Sequence, residues 1–256
     1  HVLRSPHAHA AINSIDTSRA LDLPGVHLIL TGADYEAAGL GAMPYMNPPS
    51  PGWDPDAIYT PPQLALATDV ARYVGDGIAF IVAESITVAQ DAAELIDVAY
   101  VPLPAATETA SARNPISATV WPERPDNIAF NYTAGDKGAT DAAFDAADHI
   151  VTRNICINRV AANSIEARAI LASYDPKSDF YTIYLSAQSA FGMRRTLANV
   201  IFSEDEEKFR VITNDVGGAF GMKNSFYPES FKDTIPKDWK QEKINFENIQ
   251  LQKNRN

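Results

Sequence analysis

The chain has 256 residues, 46% of them hydrophobic and 21% charged, a balance that suits one large or two ordinary globular domains and argues against a disordered or fibrous chain. Its net charge of −11 leaves no broad basic face for phosphates, which disfavours a general nucleic-acid binder. The single cysteine, Cys156, cannot form an internal disulfide, a cysteine-rich zinc site or an iron–sulfur cluster, and no uninterrupted apolar run nears the roughly 18 residues of a membrane span.

The opening HVLRSPHAHA has no initiator Met and no apolar core of a secretory signal, and it starts inside a strand-like run. The expectations are a chain missing its beginning and, by default, a cytoplasmic compartment. VLRS and AINSID read as short strands, Thr17–Leu23 as a brief helix broken at Pro24-Gly25, VHLILTG as a buried strand and Ala33–Ala38 as another short helix. Residues 40–62 are dense in Pro and Gly and read as an ordered surface loop. GIAFIVAES is the clearest strand of this half. SITVAQDAAELI is the clearest helix, with Ser85 as N-cap and Val88, Ala92, Leu95 and Ile96 on one face. DVAYVPLP returns as a strand. Residues 1–105 thus form a small α+β or α/β module that looks self-contained, and 106–135, Pro-containing and mixed, form a connector.

A second module begins near Asp136. ATDAAFDAA is helical by composition, and HIVTRNICINRV, IEARAILASYD and FYTIYLSAQS read as successive strands rich in β-branched and aromatic residues. Cys156 falls in the first of these and reads as a buried strand position rather than a nucleophile, since no partner base is implied nearby. Ala190–Ile201 reads as a helix and KFRVITNDV as a strand feeding the loop NDVGGAFGMKN. Glycines at this density let backbone N–H groups approach a ligand closely, yet taken alone the loop reads as well as a tight turn. It is not a P-loop, because no Gly-Lys-Ser/Thr follows, and not a Rossmann fingerprint, because the G-x-G-x-x-G spacing is absent.

From Ser230 the composition changes. The last 27 residues contain no Ala, Gly or Val but five of the nine lysines in the chain, so they carry +2 against −13 for the rest. They read either as a polar extension or as out-of-frame or unrelated coding sequence, and the abruptness of the change favours the second.

RSPHAHAAINSIDTSRALDLPGVHLILTGAD, ARYVGDGIAFIVAES and AQDAAELIDVAYVPLPA resemble the a/b hammerhead domain of the xanthine dehydrogenase and aldehyde oxidase family, which includes aerobic carbon monoxide dehydrogenase large subunits. IEARAILASYD, YLSAQSAFGMRRTLANVI and NDVGGAFGMKNSFYPE resemble the start of its molybdenum-cofactor domain. The resemblance covers nearly all of residues 1–229 and stops at Glu229. It implies an α+β fold: the hammerhead domain over 1–105, a connector over 106–135, the N-terminal part of a mixed α/β cofactor-binding domain over 136–229, and an atypical tail over 230–256.

The resemblance also implies function. The family's large subunit oxidises an aldehyde, an N-heterocycle or carbon monoxide with water as oxygen source, using a molybdenum–pterin cofactor. Its electrons leave through 2Fe-2S clusters and FAD, so a medium FAD-binding subunit and a small 2Fe-2S subunit are the implied partners. By position, Gly217, Gly218, Phe220 and Gly221 would line the cofactor pocket and Gln188 would stand beside the metal's oxo ligand. No residue of this chain is expected to ligate the metal directly. Asn224 takes the place where purine-oxidising relatives carry a Glu, which argues against xanthine as substrate. Glu166 resembles a family position usually followed by Pro, here Ala167, and reads as a hydrogen-bonded structural carboxylate. His7 and His9 read as structural, Asp76 as turn chemistry, and Arg194 and Arg195 as solvent-facing. The family's general base lies beyond Glu229, so the alternative expectation is a catalytically inactive fragment or binding scaffold that holds no molybdenum by itself.

Overall fold

The computed structural model describes residues 1–44, 58–114, 117–157, 160–224 and 227. Most of the Pro- and Gly-rich loop (45–57) and the whole of the 230–256 tail lie outside the described residues.

The first module holds two three-stranded antiparallel sheets. One has the order β1 (Val2–Arg4), β5 (Gly77–Ala83), β3 (Val26–Thr31); the other has the order β4 (Val70–Ala71), β2 (Ala10–Asp16), β6 (Asp97–Pro102). β5 reads as a continuous apolar run because both its faces are covered. Ala79 and Ile81 pack with Ala20 of α1 (Ser18–Leu21) and with α3 (Ile86–Leu95), while Phe80 packs with Leu28, Leu30 and Leu66. α2 (Gly32–Ala37) follows β3 directly.

The Ser85 side chain caps α3, accepting the Val88 N–H at 3.2 Å. The buried face of α3 is Ala89, Ala92 and Ala93, continued by Ile96, with Val88 and Leu95 only half-buried. This face is rotated from the expected one because the sheet admits the alanines closest. Ser85→Ala is expected to cost about 1 kcal/mol; an unchanged urea midpoint in this variant would mean the cap contributes nothing.

In the second module α4 (Lys137–Asp145) is capped by Asp136 and buries none of its residues. The expected strand HIVTRNICINRV does not form among the described residues: 149–157 pair with nothing, and Val151, Ile155 and Ile157 are exposed. Cys156 is likewise exposed, which corrects its reading as a buried strand position. Alternation specifies which face seeks burial but does not supply the strand that provides it.

The regular part is a three-stranded sheet. β7 (Ile170–Asp175) and β8 (Phe180–Leu185) form an antiparallel hairpin, and β8 pairs in parallel with β9 (Phe209–Ile212). The β8–β9 crossover is α5 (Ala190–Thr196) running into a π-helical turn, Leu197–Phe202. Met193, Leu197, Ala198 and Ile201 lie against the sheet, together with an aromatic group of Tyr174, Tyr181, Phe202 and Phe209. Arg194 is half-buried and donates twice, at 2.9 and 2.7 Å, to the Glu206 carbonyl; it is a structural clamp and not the solvent-facing residue expected, whereas Arg195 is exposed.

The largest core does not respect the sequence boundary. Tyr35, Met43 and Ala65 of the first module are buried with Tyr181, Ile183, Leu185, Leu197 and Ile201 of the second. At the seam the Gly41 N–H donates to the Ile201 carbonyl at 3.0 Å, and the Gly41 carbonyl accepts the Tyr35 hydroxyl at 2.6 Å. The first module is therefore not self-contained on this face. The connector is held too: the Arg72 guanidinium lies 3.6 Å above the Trp121 ring.

Candidate functional site

The topology carries three segments to one edge of the second sheet. β8 and β9 run parallel, so their carboxyl ends share an edge; Gln188 follows the first and the glycine loop follows the second. β7 is antiparallel, with Ile170 opposite Leu185, so the segment leading into it, including Glu166, arrives at the same edge. Ligands characteristically bind outside the carboxyl ends of such parallel strands.

Glu166 and Lys223 join the three segments. Glu166 Oε2 accepts the Lys223 ammonium at 2.7 Å, the Gly217 N–H at 2.7 Å and the Ser186 hydroxyl at 2.9 Å. Lys223 also donates to the Glu166 carbonyl at 2.9 Å. The Glu166 N–H donates to the Gly217 carbonyl at 3.2 Å. Lys223 is 2% exposed, one of the few buried polar residues, while the Glu166 side chain keeps 39% of its surface.

The Lys223 ammonium, then the Gly217 and Ser186 donors, hold the Glu166 carboxyl down at about 2, below its ordinary value. A depressed carboxyl pKa stabilises the fold above the unfolded-state value, near 4.5, and that contribution is lost as pH falls toward 2. Stability should therefore drop between about pH 4.5 and 2, and Glu166→Gln should flatten the fall; acid titrations of the two proteins followed by circular dichroism check this. Parallel curves would count against the assignment.

Gln188 is bound to the other end of the loop. Its N–H donates to the Lys223 carbonyl at 2.9 Å, and its side-chain Oε1 accepts the Lys223 N–H at 3.3 Å. With Oε1 so engaged, the carboxamide NH₂ of this exposed residue points away from the loop backbone.

Within the loop, the Gly217 N–H is taken by Glu166, the Gly218 N–H by the Val216 carbonyl and the Met222 N–H by the Ala219 carbonyl. The N–H groups of Ala219, Phe220 and Gly221 make no such bonds among the described residues. Gly218, Phe220 and Gly221 all have positive φ, at 96°, 50° and 81°, a conformation that folds successive N–H groups toward one side. A Cβ on Gly217 would meet Glu166 Cβ at 2.7 Å, whereas one on Gly221 would enter open space. Among the described residues the donor set is neutral, directional and uncommitted, and it fits an anionic or oxo-bearing group. Phe220 and Asn224 are exposed beside it. A hollow of about 360 Å³ lined by Glu166, Arg168, Met222 and Lys223 adjoins the loop, and the Arg168 guanidinium lies 3.6 Å over the Tyr227 ring.

Sequence reasoning selected Gln188, Gly217, Gly218, Phe220, Gly221 and Asn224, and the fold brings them together on one loop and the strand end bonded to it. It passed over Lys223, whose burial no local pattern signals, and Ala219. Other candidates lie elsewhere. The His9 ring is bonded to the Pro104 carbonyl at 2.7 Å and the His7 ring packs 4.8 Å from Tyr100. Asp76 accepts the Arg72 N–H at 3.1 Å in a turn, its carboxyl raised by burial. Among the described residues no three His, Cys, Asp or Glu converge as metal ligands, and no helix is long and apolar enough to cross a membrane. A cleft of about 900 Å³ between the first module and residues 118–123 includes none of the candidate cofactor or substrate residues.

Residues 1–104 match the family model of the aldehyde oxidase and xanthine dehydrogenase a/b hammerhead domain, and residues 120–232 match that of the molybdopterin cofactor-binding domain. The nicotine 6-hydroxylase large subunit of Paenarthrobacter nicotinovorans is 35% identical over 231 residues, covering 89% of this chain and 27% of the relative. The carbon monoxide dehydrogenase large chain of Afipia carboxidovorans is 32% identical over 237 residues, covering 88% and 28%. Among solved structures, quinoline 2-oxidoreductase from Pseudomonas putida 86 superposes with a TM-score of 0.76 at 33% identity, over 90% of this chain and 28% of that one. Reconstituted carbon monoxide dehydrogenase from Oligotropha carboxidovorans gives 0.79 at 30% identity, over 90% and 29%. The chain spans little more than a quarter of the length of these relatives.

Proposed function

Because this chain belongs to the aldehyde oxidase and xanthine dehydrogenase family, with the hammerhead and the start of the molybdopterin-binding domain, we propose that it is the N-terminal part of the cofactor-binding subunit of a molybdenum hydroxylase. The observation that carries this reading is the row of N–H donors at Ala219, Phe220 and Gly221, uncommitted among the described residues, beside the oriented carboxamide of Gln188. Such donors match oxo and pterin acceptors without adding charge.

The bound cofactor would supply the two-electron oxidation and the transfer of water-derived oxygen to the substrate. The chain's own residues hold and orient. Gln188 donates from its carboxamide, and Gly221 and Phe220 offer backbone N–H groups. Gly217 and Gly218 contribute through the absence of a side chain, since their own N–H groups shape the loop. The exposed Phe220 ring gives an apolar wall, and Asn224 offers a neutral amide to the substrate. That neutrality favours an uncharged substrate, an aldehyde, an N-heterocycle or carbon monoxide, over a purine needing a carboxylate. The partners in this reading are an FAD-binding medium subunit and a 2Fe-2S small subunit. The compartment in this reading is the cytoplasm.

The domain assignment that accompanies this reading is a hammerhead over 1–105, a connector over 106–135, cofactor-domain sequence over 136–229 and an atypical tail over 230–256, either a polar extension or out-of-frame or unrelated sequence. The exposure of Val151, Ile155, Ile157 and Ile165 favours a second reading of the 256-residue polypeptide on its own, as an inactive scaffold with an unfinished pocket. Producing it in a host that makes the cofactor, then measuring molybdenum by mass spectrometry and pterin by fluorescence, separates the two. Stoichiometric metal and pterin that fall away in Gln188→Ala support the pocket; absence of both supports the scaffold.

A further inference from the structure

We propose that Glu166 and Lys223 are a positioning pair, a buried-ended ion clasp that closes the glycine loop into an arc and at the same time aims Gln188. The assignment rests on the proposed cofactor site but is argued from the loop's own bonds.

The two ends of the arc are Gly217 and Lys223. Gly217 is tied to Glu166 in both directions, by its N–H to Oε2 and by its carbonyl to the Glu166 N–H. Lys223 is tied to the same residue through its ammonium, at 2.7 Å to Oε2 and 2.9 Å to the carbonyl. One carboxylate oxygen thus receives both ends of the loop. Between them, residues 218–222 are held by two short internal bonds, Gly218 to Val216 and Met222 to Ala219. The open donors of 219–221 therefore keep their direction only while the ends stay together.

The same lysine reaches the second contact. Its backbone exchanges two bonds with Gln188, one of them to the side-chain Oε1 that fixes where the carboxamide NH₂ points. Release of the ammonium would let the backbone at 223 move and would free the Gln188 side chain. A cation with 2% exposure does not stay where it is without its counterion, because an uncompensated buried charge is strongly unfavourable. Glu166 is more exposed and water can replace part of its partners. The pair is asymmetric: loss of the carboxylate drives the lysine out, whereas loss of the ammonium simply slackens the loop.

The test is amide hydrogen exchange followed by mass spectrometry on the 256-residue chain, in peptides covering 213–224 and, as a control, β8 and β9. Lys223→Met is expected to speed exchange in 213–224 at least tenfold and to leave β8 and β9 unchanged. Glu166→Gln is expected to give at least as large a local increase, and Lys223→Arg to restore most of the protection. Wild-type protection in Lys223→Met would overturn the clasp, as would equal loss throughout the sheet. A loop equally open in Lys223→Arg and Lys223→Met would show that shape rather than charge holds it, which also overturns the proposal. Should Lys223→Met fail to fold, Glu166→Gln carries the same readout. Pterin retention, measured separately, addresses the functional reading: an opened loop in a chain that never held pterin leaves the clasp standing and removes the cofactor role.

Discussion

Gly41→Ala is expected to destabilise the protein by about 3 kcal/mol, although it adds one methyl group. A Cβ at this position would lie 1.9 Å from the Val200 carbonyl oxygen and 3.0 Å from its carbon, and both are backbone atoms that no rotamer change can move away. Relief requires the chain at 41 to separate from the π-helical turn. That breaks the Gly41–Ile201 hydrogen bond and disturbs the one from Tyr35 to the Gly41 carbonyl. Tyr35 and Met43 then lose contact with the core they share with Leu197 and Ile201. Urea unfolding with a lowered midpoint is the expected result; a wild-type midpoint would show that the modules do not meet here.

Phe209→Ala is expected to cost about 4 kcal/mol. Phe209 is 2% exposed and stacks on Tyr181 with ring centroids 4.9 Å apart and planes at 7°, with Phe202 at 5.7 Å. It is the first residue of β9 and stands opposite Tyr181 in the parallel pairing. The cavity would sit at the root of the strand that leads into the glycine loop. Thermal unfolding should show the loss, with Phe209→Leu costing less because it refills part of the space; equal losses for the two variants would mean that ring stacking, not volume, holds the strand.

Much of the first module was legible because its strands and helices carry complete local signals. Ser85 before an apolar-periodic run, Pro24-Gly25 after a short helix and the apolar block of β5 each indicate their own conformation. What was not legible depended on partners distant in sequence. The run around Cys156 alternates as a strand should, yet among the described residues no neighbouring strand is available to pair with it. Arg194 looked like a surface cation because its acceptor, the Glu206 carbonyl, is a backbone atom twelve residues away. Lys223 was invisible as a buried residue because its counterion is 57 positions earlier. The glycine loop was recognisable from family likeness, but which of its N–H groups are bonded among the described residues followed only from geometry.

The core shared by Tyr35, Met43, Ala65 and the β8–α5–β9 unit also has a consequence for biosynthesis. Residues 1–105 leave the ribosome before β7–β9 and can pair their two antiparallel sheets while those strands are still unmade. They then present a preformed apolar bed to the emerging βαβ unit, whose parallel pairing is intrinsically slow to find. The hammerhead thereby acts as an internal template, shortening the time for which the aromatic strands stand uncovered in the cell.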